Sequence, residues 1–238
     1  MNNVWVYWQG DKLPYIELCI ETIRRHSSNL NFVLLNDQKV ANYLELPLGY
    51  SKLSVVHRAD YIRVALLYKY GGIWLDADTI VLKPLVKYVK FLDKYKFLGF
   101  GKELSPQTAV IAGRPDSAIL SLWFRYIVEF ITYNLSISWG DLGPIALENV
   151  LTHKLDDVYE YYNVSPAYCV PVSCKAWKDF FSTRKEVKGA VLEQTGIVML
   201  YNKFMKHKMK RYDREYLMES DMFISKLFRK ALSYDRSY

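Results

Sequence analysis

The stretch HRADYIRVALLYKYGGIWLDADTIVLKPL, residues 57–85, decides how this chain is organised. It predicts a helix over residues 59–67 that ends at the pair Gly71-Gly72, and then a short apolar strand. Two carboxylates, Asp76 and Asp78, follow that strand. Glycine ends a helix readily because it enters the left-handed conformation without steric strain. The order helix, stop, strand and paired carboxylates is typical of an α/β domain with a ligand site at a strand end.

The paired carboxylates predict a divalent-cation site. Side chains alternate along a strand, so Asp76 and Asp78 should project to one side and Ala77 to the other. Two carboxylates aimed together repel each other unless a cation lies between them. Hard oxygen ligands suit Mg²⁺ or Mn²⁺, which complete their coordination with substrate phosphates and water. An isolated Asp-x-Asp triplet is more often a solvated turn. Here the triplet follows a predicted buried strand, and this context favours a metal site.

The predicted helix carries a second pair of charged residues. Asp60 and Arg63 are three residues apart and therefore share one helix face. One interpretation is a hydroxyl-binding pair that points into the same cleft as the aspartates. The alternative is an exposed ion pair, which contributes little to stability.

The segments ADYIR (residues 59–63) and LYKYGGIWLDAD (residues 67–78) resemble the sugar-nucleotide-binding region of glycosyltransferase family 32. They also resemble the related bacterial capsular polysaccharide synthesis proteins and, more distantly, the large clostridial glucosylating toxins. The shared pattern is an Asp-x-x-Arg helix, a Gly-Gly pair and an Asp-x-Asp in fixed order. The resemblance implies an α/β fold of GT-A type, a Rossmann-like nucleotide-sugar-binding domain with a mixed, mainly parallel sheet and a helical C-terminal tail.

The resemblance also implies roles for these residues. Mn²⁺ or Mg²⁺ would be held through Asp78, and Asp76 would share the metal through water while it faces ribose or sugar hydroxyls. Ala77 would lie against the donor, and Asp60 and Arg63 would fix the hydroxyls of the donor sugar. The family transfers sugars with retention of anomeric configuration, and a UDP-hexose is the expected donor.

The N-terminal segment VWVYWQG predicts a strand with Trp8 and Gln9 at its carboxyl end. A helix from Pro14 to His26 and a strand over residues 31–35 follow, and this order predicts parallel pairing with ligands at the carboxyl ends. Trp8 could stack on a nucleobase, a contact worth roughly 1–3 kcal/mol, or pack in the core. The family resemblance favours a donor-binding role for Trp8 and Gln9.

Three further residues are weaker candidates. Asp141 is the carboxylate of the loop ISWGDLGP (residues 137–144), which resembles a family segment beside the donor sugar, and it could bind a hydroxyl or be solvated. The segment GIVMLYN resembles the family's closing segment, which usually has a histidine three residues before the asparagine. Met199 stands at that position here. Asn202 or His207 could replace that histidine as a metal ligand.

Composition predicts a packed, globular protein: 51% of the 238 residues are hydrophobic and 16% are aromatic. Further helices are predicted over residues 39–46 and, with a broad apolar stripe, over residues 117–133. No run approaches the length of a membrane span and no signal pattern opens the chain, so a cytoplasmic location is expected.

We expect a catalytic domain over residues 1–202 and a basic helical segment over residues 203–238. Residues 201–238 hold ten Lys or Arg and five Asp or Glu, which is 10 − 5 = +5 of the formal +7. Within the tail, apolar residues from Phe223 to Leu232 recur at helical spacing, with Lys226, Arg229 and Lys230 between them. Such a basic amphipathic helix either docks on its own domain or lies on an anionic membrane surface. No nucleic-acid-binding motif accompanies the charge, so nucleic acid is not an expected partner.

The sequence therefore predicts a metal-dependent glycosyltransferase that uses a nucleotide-sugar donor and a glycan or lipid-linked oligosaccharide acceptor. Bacterial capsule or surface polysaccharide synthesis is the expected setting, at the inner face of the plasma membrane. The alternative is a catalytically silent protein that binds nucleotide sugars or carbohydrate on the same scaffold.

Overall fold

The computed structural model describes residues 2–102, 105–133, 136–152, 159–169, 171–184 and 193–233. The chain forms two compact units. The first comprises Met1–Gln9, Leu30–Leu75 and Lys87–Val164, and the second comprises Gly10–Asn29, Asp76–Val86 and Ser165–Tyr238. The division into residues 1–202 and 203–238 stays a prediction, and residues 234–238 of that tail lie outside the described residues.

The described chain forms nine strands and nine α-helices. The strands are β1 (Asn3–Tyr7), β2 (Asn31–Leu35), β3 (Gly72–Leu75), β4 (Thr79–Val81), β5 (Phe97–Lys102), β6 (Ser105–Pro106), β7 (Val110–Gly113), β8 (Tyr161–Val164) and β9 (Ile197–Met199). The helices are α1 (Pro14–Arg25), α2 (Asp37–Val40), α3 (Val55–Tyr70), α4 (Val86–Phe91), α5 (Ala118–Tyr133), α6 (Pro144–Leu151), α7 (Asn202–Met209), α8 (Arg214–Glu219) and α9 (Phe223–Leu232).

The first unit is built on a mixed sheet in the order β2-β1-β3-β7-β5-β6, with β8 paired to β5. Strand β1 runs parallel to both β2 and β3, and β5 runs parallel to β8. The pairs β3–β7, β5–β7 and β5–β6 are antiparallel. The predicted α/β class and the parallel pairing of the first two strands are confirmed.

The turn between α3 and β3 requires glycine for a steric reason. Gly71 and Gly72 have φ angles of 66° and 110°, in the left-handed region that favours glycine. A Cβ built on Gly72 would lie 2.3 Å from the carbonyl oxygen of Asn3. Strand β1 can therefore pair with β3 at this point only because Gly72 has no side chain.

The core of the first unit is formed where α3 and α5 pack together and α5 packs on α6. Ile119, Trp123, Ile127 and Ile131 of α5 are buried. Leu122, which the sequence predicts to lie on the same apolar stripe, is 36% exposed. Leu120, outside the predicted stripe, is buried as well, so the buried face of α5 is shifted around the helix from the predicted one.

The predicted helix over residues 39–46 is wrong in extent, since α2 spans only Asp37–Val40. A helix that continued would need the N–H of residue 47 to reach the carbonyl of Tyr43, and Pro47 has no N–H. The Tyr43 carbonyl instead accepts hydrogen bonds from the Tyr70 hydroxyl (2.8 Å) and from Lys69 Nζ (2.9 Å). The regular helix already ends at Val40, after which the Asn42 and Tyr43 N–H groups donate to the Lys39 and Val40 carbonyls three residues back (3.1 and 2.9 Å).

The second unit contains the antiparallel pair β4–β9, with α1 packed against β4, α8 and α9. Ile224, Leu227 and Phe228 of α9 are buried. The suggestion that this apolar face enters a membrane is therefore wrong, because the face is already covered by protein. Among the described residues, no helix combines the length and the apolar character needed to cross a bilayer.

Candidate active site

The Asp-x-Asp triplet forms the turn that joins the end of β3 at Leu75 to the start of β4 at Thr79. Asp76 and Asp78 are half-buried, whereas Ala77 is 3% exposed. Because the triplet lies in a turn and not in the strand, the projection of both carboxylates to one side stays a prediction. Because β4 pairs with β9, the turn is fixed at one end by a strand pair of the second unit.

Asp78 is held by the segment that follows β9. The Leu200 N–H donates to the backbone carbonyl of Asp78 (3.0 Å), and the Asn202 N–H donates to its Oδ2 atom (2.7 Å). Tyr201, between these donors, has a φ of 59°, which is uncommon for a residue other than glycine. This left-handed residue turns the chain from β9 into α7, so that donors on either side of it reach one aspartate.

Asn202 has a second contact through its side chain. Its Oδ1 atom accepts a hydrogen bond from the hydroxyl of Tyr15. Burial raises the pKa of the Tyr15 phenol, and the nearby negative charge of Asp78 raises it further. The hydroxyl therefore remains protonated and donates. No sequence pattern indicates this contact, because Tyr15 and Asn202 are far apart in the chain.

The oxygen atoms around this turn fit a divalent cation. Asp78 Oδ2 is engaged by a backbone N–H, and the carboxylates of Asp76 and Asp78 with the amide oxygen of Asn202 are hard ligands of the kind that Mg²⁺ and Mn²⁺ prefer. No cluster of three His, Cys, Asp or Glu side chains occurs in the described part of the chain. A cation at this turn would therefore need phosphate and water oxygens, as Mg²⁺ sites commonly do.

His207 and Met199 are placed differently from Asn202. His207 is exposed on α7, five residues after Asn202, so the two side chains project about 140° apart around the helix. Met199 is buried in β9, where it pairs with Thr79. Of the two candidates for the missing histidine, the geometry of the second unit favours Asn202.

In the first unit, Asp60 and Arg63 form a buried ion pair. Arg63 Nη1 lies 2.7 Å from Asp60 Oδ1, and Arg63 and Asp60 are 5% and 4% exposed, respectively. The guanidinium carbon is 5.5 Å from the centroid of the Trp74 ring. The alternative of an exposed surface pair is wrong. Because burying two charges often brings no net stability, such a pair is more readily explained by a functional role.

Gly143 packs directly against the Asp60 carboxylate. A Cβ built on Gly143 would lie 2.8 Å from Asp60 Oδ1 and 3.1 Å from the carboxyl carbon. Trp123 Nε1 donates to the Leu142 carbonyl (2.8 Å) and thereby holds this loop. The sequence identifies the Gly-Pro segment only by resemblance, and the contact between Gly143 and Asp60 could not be read from it.

Asp141 lies in the same loop. Its Oδ2 atom accepts the Ser138 N–H (2.7 Å), which closes the loop locally, and its side chain is half-buried. The carboxylate therefore has a structural role. Its predicted contact with a sugar hydroxyl stays a prediction.

Trp8 and Gln9 follow the carboxyl end of β1, as predicted. Trp8 is half-buried, with its backbone N–H on the Leu35 carbonyl (3.0 Å), and Gln9 is exposed. The Gln9 Oε1 atom accepts the N–H of Asp37 (3.0 Å). Trp5, by contrast, is buried, and its Nε1 donates to the Gly71 carbonyl (2.9 Å).

Asp37 is the centre of a polar cluster that the sequence does not reveal. Its carboxylate accepts the Tyr7 hydroxyl and Arg58 Nη1, both at 2.6 Å. Burial and the hydrogen bond to Asp37 raise the pKa of Tyr7. The cluster fixes the carboxyl ends of β1 and β2. Asp37 is also the residue whose N–H donates to Gln9.

The comparison with protein families decides the relationship. A family model described as "Capsular polysaccharide synthesis protein" matches residues 1–135, more than half of the chain. The chain belongs to this family. The predicted relationship to glycosyltransferase family 32 is likewise confirmed.

Curated relatives of this family member are glycosyltransferases. Lactosylceramide 4-alpha-galactosyltransferase of Rattus norvegicus is 26% identical over 194 residues, which cover 78% of this chain and 51% of that protein. Alpha-1,4-N-acetylglucosaminyltransferase of Homo sapiens is 25% identical over 133 residues, 52% of this chain and 36% of that protein. The chain thus spans about half, or less, of the length of these relatives.

Among solved structures, a glycosyltransferase involved in the glycosylation of the major capsid of PBCV-1 has a similar fold. The TM-score is 0.55 at 14% identity, and the match covers 88% of this chain and 97% of that one. At this identity the likeness is one of fold. The family member therefore has the GT-A type α/β fold that its sequence predicts.

Proposed function

We propose that this capsular polysaccharide synthesis family member is a metal-dependent glycosyltransferase that transfers a hexose from a nucleoside-diphosphate donor. The observation that carries the proposal is Asp78, whose carboxylate is fixed by the Asn202 N–H at 2.7 Å. A carboxylate fixed in this way needs no rearrangement to meet a cation, and such preorganisation is the main source of electrostatic catalysis. The activities of the two transferase relatives support the proposal.

The metal, when bound, would neutralise charge that develops on the departing nucleoside diphosphate. Asp78 would bind it directly, Asp76 through water, and Asn202 would orient Asp78 and offer its amide oxygen. Tyr15 holds that amide in place by donating to it. These residues all belong to the second unit.

Residues of the first unit are proposed to bind the rest of the donor. Arg63, whose fork of donors is fixed by Asp60, would orient sugar hydroxyls, and Asp60 would accept from them. Trp8 would stack on the base, with Gln9 beside it. Asp141 would contact the sugar. We propose uridine as the base and retention as the stereochemical outcome, both from the family resemblance.

The acceptor is proposed to be a glycan or a lipid-linked oligosaccharide of bacterial capsule or surface polysaccharide synthesis. Support comes from the description of the family model, which names capsular polysaccharide synthesis. A cytoplasmic location, at the inner face of the plasma membrane, stays a prediction.

The experiment is a panel of nucleotide sugars assayed for hydrolysis and transfer, with Mn²⁺, with Mg²⁺ and after chelation. Release of nucleoside diphosphate from one donor, lost on chelation and restored by Mn²⁺, is the expected result. Tight donor binding without turnover on any acceptor or water would instead favour the silent binding protein. Turnover that is unaffected by chelation would contradict the metal-dependent mechanism.

A further inference from the structure

The positive charge of the C-terminal region is concentrated in one short segment. Residues 202–211 contain five Lys or Arg and no Asp or Glu. Residues 212–238 contain five basic and five acidic residues, so their formal charge sums to zero. The net +5 of the region therefore lies on α7 and the two residues after it, whereas the basic residues of α9, which first suggested a membrane contact, are offset by nearby acidic ones.

Helix α7 presents this charge on its outer face. Met205 and Met209, four residues apart, are buried and attach the helix to the second unit. Lys203, Lys206 and Lys210 are exposed and lie on one side of the helix, at successive spacings of three and four residues. We name these three lysines the α7 lysine face.

A large apolar side chain borders the lysine face. Phe204 follows Lys203 on α7 and is 45% exposed. Burial of such a ring against a partner would contribute binding energy. The combination of lysines and an exposed phenylalanine is typical of helices that lie on anionic bilayers.

Further aromatic rings lie on another flank of α7, since Lys208, which contacts them, projects about 140° or more from each residue of the lysine face. Lys208 Nζ lies 3.9 Å from the centroid of the Phe181 ring. Phe181 contacts Tyr212 with ring centroids 6.3 Å apart, and Tyr212 stacks on Tyr216 at 4.9 Å. Tyr216 is 49% exposed.

We propose that the second unit binds an anionic phospholipid surface through the α7 lysine face, with Phe204 at the level of the headgroups. The charge complementarity is direct, since each Lys near an anionic leaflet contributes attraction that acts within a Debye length. The proposal concerns a surface apart from the proposed donor-binding residues. It does not depend on the sugar transferred.

The test uses the 238-residue chain and sedimented vesicles of phosphatidylcholine, with and without phosphatidylglycerol. The chain is expected to sediment with the anionic vesicles at low salt and to be released at high salt. The double variant Lys206→Gln/Lys210→Gln should bind about 30-fold more weakly, which is the loss expected for two Lys contacts. Hydrolysis of the nucleotide sugar should be unchanged, because neither lysine belongs to the donor-binding residues.

The chain offers a matched control on α9. Lys226 and Lys230 are also exposed, also four residues apart, and also on a C-terminal helix, so Lys226→Gln/Lys230→Gln removes the same charge. This variant should bind vesicles like the parent. Equal losses in the two variants would show that net charge alone governs binding and would overturn the assignment to α7.

The substitution Phe204→Ser tests the apolar contribution to vesicle binding. It should lower the fraction of protein that stays bound at intermediate salt, while circular dichroism remains unchanged. Failure of the parent chain to bind anionic vesicles at any salt concentration would overturn the proposal. Binding to soluble polyphosphate in the same conditions, lost in Lys206→Gln/Lys210→Gln, would then identify an anionic polymer as the partner instead.

Discussion

Asp78 and the Asn202 N–H form the contact on which the proposed chemistry depends, and the substitution Asp78→Asn isolates its charge. The asparagine carbonyl can still accept the Asn202 N–H, so the fold and the melting temperature should change little. Turnover should fall by about 100-fold or more, because the charge that develops on the leaving group is no longer neutralised through a metal. The measurement is initial rate against Mn²⁺ concentration, together with Mn²⁺ binding followed by electron paramagnetic resonance.

The control for this variant is Asp221→Asn, which removes an exposed carboxylate from the same unit. It should leave both the rate and Mn²⁺ binding as in the parent. Parent-like activity of Asp78→Asn at saturating Mn²⁺ would remove Asp78 from the metal site.

Gly143 permits a second prediction at the scale of a single atom. The Cβ introduced by Gly143→Ala would sit 2.8 Å from Asp60 Oδ1, so the carboxylate must move. Asp60 is proposed to position the donor sugar, and a displacement of about 1 Å in such a group is expected to lower turnover by about 100-fold. Steady-state kinetics should show the loss chiefly in kcat, with little change in the affinity for nucleoside diphosphate.

Gly140→Ala in the same loop separates this effect from damage to the loop. Gly140 has a φ of 94°, and its added Cβ would meet the side chains of Ile145 and Pro144, not Asp60. Alanine there should lower the free energy of unfolding by about 1–2 kcal/mol through backbone strain. If Gly140→Ala reduces kcat as much as Gly143→Ala does, loop order rather than the position of Asp60 controls the rate.

At the scale of elements, the pairing of β1 with β3 depends on Gly72. Alanine at this position would place a methyl group 2.3 Å from the Asn3 carbonyl oxygen, in addition to straining a φ of 110°. We expect Gly72→Ala to reduce the free energy of unfolding by about 3 kcal/mol or more, because the strands must separate. Denaturant unfolding followed by circular dichroism measures it.

Gly10→Ala is the matched control for that clash. Gly10 has a φ of 92°, similar to Gly72, but no atom lies within 4 Å of the position that its added methyl group would take. Only the backbone strain remains, so the loss should be about 1–2 kcal/mol. Similar losses in the two variants would mean that strain, and not the approach of β1, determines the need for glycine at residue 72.

The elements that the sequence predicts well are those with a strong periodic pattern and a clear end signal. The predicted bounds of strand β2 and helix α5 agree with the structure within a residue, since runs of apolar residues and their boundaries are local properties. Helix α2 is shorter than predicted: the chain changes to tight turns after Val40, and the Tyr43 carbonyl accepts from Tyr70, a side chain that is distant in sequence.

The candidate site, too, could be predicted only where a local pattern determines it. The sequence can nominate Asp60, Arg63 and Asp78 from their spacing, since helix and strand geometry fix which neighbours share a side. It cannot show that Asp60 and Arg63 are buried, that Gly143 lies against the carboxylate, or that Asn202 donates to Asp78. Those contacts depend on packing between segments far apart in the chain, which no local pattern encodes.

At the scale of the whole molecule, binding of nucleoside diphosphate with Mn²⁺ should stabilise the folded chain by mass action. At a ligand concentration about 100 times the dissociation constant the gain is about 2.7 kcal/mol. For a chain of 238 residues this corresponds to a rise in Tm of about 5–10 °C. Differential scanning fluorimetry should show the rise with UDP and Mn²⁺ together, and chelation should reverse it.

Asp78→Asn serves as the control, since it should lose the Mn²⁺-dependent part of the rise and keep whatever UDP alone provides. An equal rise with and without Mn²⁺ in the parent chain would mean that nucleotide binding does not use the metal.

Helix α7 is short, and its length limits the distance between a bound bilayer and the site at which a sugar could be transferred. Its first residue donates to Asp78, and its eight residues extend about 12 Å along the axis. If the lysine face lies against the headgroups, Asp78 is held close to the lipid. It would then be far from the distal end of a long lipid-linked glycan. We therefore expect a preference for acceptors that carry only a few sugars on their lipid, measurable as a falling rate when the lipid-linked glycan is lengthened. The enzyme would then act near the start of chain assembly, and its reach would limit the length of glycan that it can extend.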